Sequence, residues 1–259
     1  MRNKIALSLF FILILSACGP NKNQRTILTI FAHPDDETTM GAVLAKYAKD
    51  HEVYLVFATD GRFGVTDHMG IPPGDSLVEL RRREAECSCA RLGINPPVFL
   101  GLQDGLGLNG HGNFYDQEPL LKTRLLEIIQ KIQPTTIITF GPDGDTGHPD
   151  HRLLGAITTE LLLREGLTDK IDLYYFGWTR EQAEKYSWWG LNYMDTSVLD
   201  TEISFDQEDE AKAMESIRCY RSQYTAAEME QWISTEMEDR SNVSYFRKFM
   251  LVNKASTDF

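Results

Sequence analysis

Five short apolar runs recur along the chain: TILTIF (26–31), EVYLVFA (52–58), PVFL (97–100), TTIITF (135–140) and DLYYFGW (172–178). They are rich in β-branched and aromatic residues and too short to favour helices, so the pattern predicts strands. Between them, residues 38–49, 75–92, 118–132 and 150–165 mix apolar and charged positions as helices do. The second of these, with SLVELRRREAEC, is built of strong helix formers and stops at Gly93. The third stops at Gln133 and Pro134, because proline disfavours helix in the residue before it. Strands alternating with helices predict an α/β fold whose mainly parallel sheet is covered on both faces. Helices near 206–222 and 225–239 and a short strand near 243–252 complete the pattern. No boundary interrupts it, so residues 26–259 are expected to form a single domain.

The first residues break this pattern. MRNKIALSLFFILILSAC begins with Arg2 and Lys4, continues as an apolar run from Ile5 to Leu15, and ends in small residues before Cys18. This is the layout of a secretory signal, too short to span a membrane. LSAC resembles the lipobox of bacterial lipoproteins, which implies a signal peptide over residues 1–17 and lipidation of Cys18. Residues 18–25 then form a polar tether. The expected location is the bacterial cell envelope, with the chain anchored by lipid to a membrane outside the cytoplasm.

Charge narrows the partners. The chain has 259 residues and a net charge of −12, and loss of residues 1–17 makes it more acidic still. Phosphate backbones favour basic proteins, so no nucleic-acid partner is expected. Three cysteines remain beyond Cys18. Cys87 and Cys89 stand two apart on a predicted helix and point about 200° away from each other. A bridge from one of them to Cys219 is open in an oxidising compartment, but buried free thiols are the simpler expectation.

The chemistry concentrates at two strand ends. FAHPDDET (31–38) follows the first strand, and GPDGDTGHPDH (141–151) follows TTIITF. In open parallel sheets, ligands bind beyond the carboxyl ends of strands where the strand order reverses. If these two strands are central neighbours, the clusters face one crevice. His33, Asp36 and His151 offer two imidazoles and one carboxylate, a donor set known from catalytic zinc sites. A bound dication would also explain how the chain tolerates so many adjacent acids. Asp35 is left to accept a proton from water. His148 can stabilise an oxyanion, and Asp150 can orient a histidine from behind. Two histidines favour Zn2+ over the oxygen-only sites of an Mg2+-dependent phosphoesterase.

AHPDDE together with GHPDH resembles the LmbE-like/PIG-L family of zinc-dependent N-deacetylases. ATDGRFG (58–64), RRREAECSCARLG (81–93), FLGLQDG (99–105) and KAMESIRCYRSQ (212–223) fit further landmarks of the same family. The resemblance implies a Rossmann-like fold, zinc on His33, Asp36 and His151, Asp35 as general base and His148 as oxyanion stabiliser or acid. It also implies that Arg81 and Asp104 face the sugar. The expected activity is removal of the acetyl group from an N-acetylglucosamine-type sugar or glycoconjugate. Two other readings stay open: an amidase for another N-acyl group, and a non-catalytic glycan-binding lipoprotein, against which Asp35 and His148 both count. Trp188, Trp189 and Tyr193 are open to sugar stacking or to core packing, while His68 and His111 are expected to be ordinary loop residues.

Overall fold

The computed structural model describes residues 25–106 and 114–251. The expected signal peptide, Cys18, the tether up to Gln24, and His111 lie outside the described residues. Seven strands form one sheet: β1 (Thr26–Phe31), β2 (Glu52–Thr59), β3 (Val98–Leu102), β4 (Thr136–Phe140), β5 (Asp172–Gly177), β6 (Thr201–Ser204) and β7 (Val243–Lys248). Their order is β3-β2-β1-β4-β5-β7-β6. The first five run parallel, and β7 is antiparallel to both β5 and β6.

The parallel strands are apolar on both faces because both faces are covered. In β1 every residue after Thr26 is buried. Helices α1 (Gly41–Ala48), α2 (Asp75–Leu92), α3 (Phe114–Ile132) and α4 (Pro149–Arg164) connect the strands, followed by α5 (Arg180–Lys185), α6 (Gln207–Ile217) and α7 (Ala226–Glu238). The chain winds outward through α1 and α2 to β3, then crosses back through α3 to β4. Right-handed crossovers in opposite directions place their helices on opposite faces. Accordingly α1 and α2 pack with each other and with α6, whereas α3 packs with α4.

The strand order reverses between β1 and β4, which pair directly. The two charged loops therefore leave neighbouring strands. Gly155 makes their approach possible: a Cβ there would sit 2.2 Å from the carbonyl oxygen of Phe140. Its absence lets α4 lie against the end of β4, and the His151 ring stacks on Phe140 with centroids 3.9 Å apart.

Several details depart from the sequence pattern. The helix expected from residue 38 is a 3-10 turn over Asp36–Met40 before α1 begins. Helix α3 starts upstream of Pro119, which lies inside it. β6 and α5 were not expected; β6 is a four-residue edge strand held by pairing with β7, and α5 starts with a Thr179–Gln182 capping box. The expectation of free thiols is corrected for two cysteines. Cys87 and Cys219 form a disulfide, because α2 and α6 pack together and bring their Cα atoms to 5.9 Å. Cys89 is free and buried. No described helix is long and apolar enough to cross a membrane.

Candidate metal centre and active site

The loop after β1 folds back on Asp36. One oxygen of this carboxylate accepts the backbone N–H groups of Ala32 and His33, at 3.0 and 2.7 Å. The turn requires Asp35 to take φ of 110°, a conformation that non-glycine residues rarely adopt and that tends to occur at functional sites. The two adjacent aspartates meet quite different partners as a result. Asp36 sits between two imidazoles: Oδ1 lies 3.2 Å from His151 Nε2, and Oδ2 lies 3.6 Å from His33 Nδ1. Asp35 is held instead by Arg81 Nη2 on Oδ1 and by the Tyr224 hydroxyl on Oδ2, each at 3.0 Å.

Ring tautomers decide whether this donor set suits a divalent cation. A backbone carbonyl can only accept, so His151 Nδ1, 3.1 Å from the oxygen of Gly144, must carry a hydrogen. Its Nε2, facing Asp36, is the nitrogen that can offer a lone pair. His33 Nε2 lies 3.1 Å from Asp150 Oδ2, an oxygen that also accepts the N–H of Gly105 at 2.7 Å. That leaves His33 Nδ1, again the nitrogen facing Asp36, for ligation. Both rings are thus oriented from behind in the manner usual for metal-binding histidines, and His33, Asp36 and His151 fit a zinc-type ion.

One ligand atom from each of His33, His148 and His151 comes within 4.8 Å of the others. His148 is nonetheless unsuited to ligation. Its Nδ1 accepts the backbone N–H of Asp150 at 3.1 Å, so the neutral ring keeps its hydrogen on Nε2 and acts there as a donor.

The electrostatics agree. Burial disfavours a charged His33, but its bonds to Asp150 and Asp36 outweigh this and lift its pKa to about 10. Burial likewise opposes charge on His151, and Asp36 overcomes it and raises the pKa. Burial opposes ionisation of Asp36, yet the His151 ion pair holds it well below the usual carboxylate range. The acids thus favour the protonated form of both imidazoles; a cation bound by the same atoms would replace those protons. Burial raises Asp35 to about 6, against the pull of Arg81. His148 is pushed down, first by burial and then by its two histidine neighbours.

Arg81 and Asp104 line the same cavity but are already bonded. The Arg81 guanidinium donates to Asp35, to the carbonyl of Pro34 and to that of Gly61. Gly64 has no side chain where a Cβ would meet this guanidinium at 2.2 Å. Asp104 accepts the backbone N–H groups of Gly61 and Phe63, both at 2.8 Å, and so shapes the loop after β2. Glu84 holds Ser222 through both its N–H and its hydroxyl.

The cavity of about 410 Å³ also takes in residues the sequence pattern did not single out. Asp145, within the second charged loop, accepts the indole N–H of Trp178 at 2.5 Å. Tyr224 directly follows the Tyr-x-Ser-Gln stretch, the one signal that pointed toward it. Glu37 does not line the cavity; fully buried, it accepts from the backbone N–H of Asp35 and from the hydroxyls of Ser88 and Tyr220. Of the three surface aromatics considered, Trp189 lines the cavity. Trp188 is 44% exposed beside Tyr186, and Tyr193 lies under Arg180. His68 is a loop residue bonded to the carbonyl of Arg221.

A family model described as GlcNAc-PI de-N-acetylase, PIG-L, matches residues 28–162. This stretch runs from β1 into α4 and contains both charged loops. A 1D-myo-inositol 2-acetamido-2-deoxy-alpha-D-glucopyranoside deacetylase of Thermomonospora curvata is 38% identical over 145 residues, which is 49% of each chain. The chain spans about half the length of the curated relatives it matches. The structure of N,N'-diacetylchitobiose deacetylase from Pyrococcus horikoshii superimposes with a TM-score of 0.61 at 23% identity, covering 88% of this chain and 85% of that one. GalB, the 4-carboxy-2-hydroxymuconate hydratase from Pseudomonas putida, superimposes with a TM-score of 0.60 at 16% identity, over 90% of this chain and all of that one. At these identities the structural likeness shows the fold, which hosts more than one reaction.

Proposed function

Because this chain belongs to the PIG-L family, we propose that it is a zinc-dependent N-deacetylase acting on an N-acetylglucosamine-type sugar or glycoconjugate. The observation that carries this reading is the separation of Asp35 from Asp36. One carboxylate is placed between two imidazoles whose free nitrogens face it; its neighbour is held apart by Arg81 and Tyr224.

His33, Asp36 and His151 would hold the metal. A zinc ion bound there would supply Lewis acidity and lower the pKa of a water toward neutrality. Asp35 takes the proton of the attacking water; each of its oxygens keeps a lone pair beyond its bond to Arg81 or Tyr224. As the water oxygen bonds to the acyl carbon, negative charge develops on the carbonyl oxygen, and Nε2–H of His148 donates to it. The C–N bond then breaks, and Asp35 returns its proton to the departing amine, leaving acetate and a free amino sugar. Asp150 keeps His33 in its ligating tautomer, and its backbone N–H keeps His148 in its donating one.

The proposal extends to location. Residues 1–17 would be a lipoprotein signal peptide, Cys18 the lipidated residue, residues 18–25 the tether and 26–259 one catalytic domain. The Cys87–Cys219 disulfide supports this reading, since such bridges persist outside the reducing cytoplasm. Cys18→Ala should leave the protein unprocessed or free of the membrane fraction.

The activity is tested by incubating the full-length, zinc-loaded protein with a panel of N-acetylated sugars and detecting free amine and acetate. Equal release of both is expected. Absence of release from every sugar would contradict the reading.

A further inference from the structure

The cavity beside the histidine pair is also lined by Trp178, Tyr186, Trp189, Tyr224 and Trp232. Trp189, Tyr224 and Trp232 pack as a mutual triad, with ring centroids 5.4 to 5.6 Å apart and planes steeply inclined. Several polar tips are already occupied by the protein. Trp178 donates to Asp145, Tyr224 to Asp35 and Trp232 to Glu236. Trp178, Tyr186 and Trp232 are buried core residues, whereas Trp189 is only partly buried. What this wall offers a ligand is therefore ring surface, and Trp189 and Tyr224 are its partly exposed members, of which Trp189 is the one that no hydrogen bond ties to the polar residues beside it.

Charge points the same way. Asp35, Asp36, Asp104 and Asp145 contribute carboxylates to the lining. Apart from its histidines, the one cation among the described lining residues is Arg81, which is engaged by Asp35, Pro34 and Gly61. With Asp36 committed to the metal, a phosphate placed away from that ion would meet the carboxylates of Asp35, Asp104 and Asp145, and Arg81, held by Asp35, is the one guanidinium or ammonium group among the described lining residues.

We propose that this wall is a subsite for an uncharged apolar or aromatic group carried by the substrate near the scissile amide, with Trp189 as its specificity-determining residue. The inference rests on the deacetylase reading above and narrows it to substrates whose remaining portion is apolar and free of phosphate. Two sources of such a group share this chemistry: an aryl or alkyl aglycone on the sugar, and an acyl chain longer than acetyl on its nitrogen.

The test compares kcat/KM of the full-length, zinc-loaded protein on four substrates: N-acetylglucosamine, its aryl glycoside, its 1-phosphate, and glucosamine carrying an N-octanoyl group. Contact with one aromatic ring is worth roughly a 3- to 10-fold preference. The aryl glycoside should exceed the free sugar by that factor and the phosphate should fall below it. A gain on the octanoyl amide alone assigns the subsite to the acyl group. Trp189→Ala should bring the ratio of apolar to free substrate close to one, and Trp189→Phe should retain it. Ratios near one in the unaltered protein, or a ratio unmoved by Trp189→Ala, would overturn the subsite while leaving deacetylation intact. Failure to turn over any N-acyl sugar would instead overturn the deacetylase reading. In that event quenching of tryptophan fluorescence by the aryl glycoside decides the subsite: saturable quenching lost in Trp189→Ala upholds it, and no saturable quenching overturns it.

Discussion

The pocket has a polar wall and an aromatic wall, and they are built in different ways. The polar wall comes chiefly from two loops, residues 31–38 and 141–151, which leave the adjoining strands β1 and β4. Both lie within the segment that matches the family. The aromatic wall draws on Trp178, the turn at Trp189, Tyr224 and Trp232, all beyond that segment. Under the proposed function the first wall carries the groups that would move protons and hold a metal; the second offers shape and apolar surface. On the proposed reading, chemistry in this molecule is encoded locally, and selectivity is assembled from distant parts of the chain.

Two elements join the walls. The Cys87–Cys219 disulfide ties α2, which supplies Arg81, to the turn that leads into Tyr224. Tyr224 itself belongs to both sides, its hydroxyl on Asp35 and its ring against Trp189 and Trp232. Breaking these links, or either wall, should have graded effects.

The largest loss is expected from His151→Ala, which removes a proposed metal ligand from the polar wall. Bound zinc and turnover should both fall to background, read by elemental analysis and amine release, while His68→Ala should change neither. Next comes Cys87→Ser. The bridge spans a sequence separation of 132, and loss of a native disulfide typically costs about 2–5 kcal/mol. A denaturant titration should show a drop of that size.

A smaller effect is expected from Tyr224→Phe, which keeps the ring but removes a hydrogen bond to an ionised carboxylate. Such bonds are worth about 1.5–3 kcal/mol, so a rate loss of roughly tenfold or more is expected. The direction of the pH effect follows from the sign of that bond. The Tyr224 hydroxyl lowers the pKa of Asp35, which burial raises to about 6. Without it Asp35 binds its proton more tightly, and the acid limb of the kcat/KM profile should move to higher pH. The smallest effect is expected from Trp188→Ala. Trp188 is 44% exposed and outside the cavity lining, so activity should be unchanged and stability should move by no more than about 0.5 kcal/mol.

The same contrast governs what could be read from the sequence. The five parallel strands and four connecting helices were legible because apolar runs alternate with amphipathic stretches. The polar wall was legible because acids and histidines crowd the ends of two strands, where this topology binds ligands. Burial that commits Arg81 and Asp104 to backbone partners was not legible, since motif position says nothing about which hydrogen bonds are already made. The disulfide escaped for a related reason. Helical spacing showed that Cys87 and Cys89 point apart, but not which of them α6 approaches. β6 depends on pairing with β7 rather than on its own four residues. Trp189 could be named as an aromatic but not assigned to the cavity, because its place there depends on Tyr224 and Trp232, 35 and 43 residues further along the chain.

The central claim is that Asp35 and Asp36, adjacent and chemically alike, have separate jobs. Zinc content and deacetylation rate measured side by side on Asp35→Asn and Asp36→Asn test it most directly. Asp35→Asn should keep its zinc and lose roughly 10²–10⁴-fold in turnover, the usual range for a positioned general base. Asp36→Asn should lose zinc affinity first and recover part of its activity when zinc is in excess. A metal-free Asp35→Asn beside a zinc-replete but slow Asp36→Asn would contradict the account.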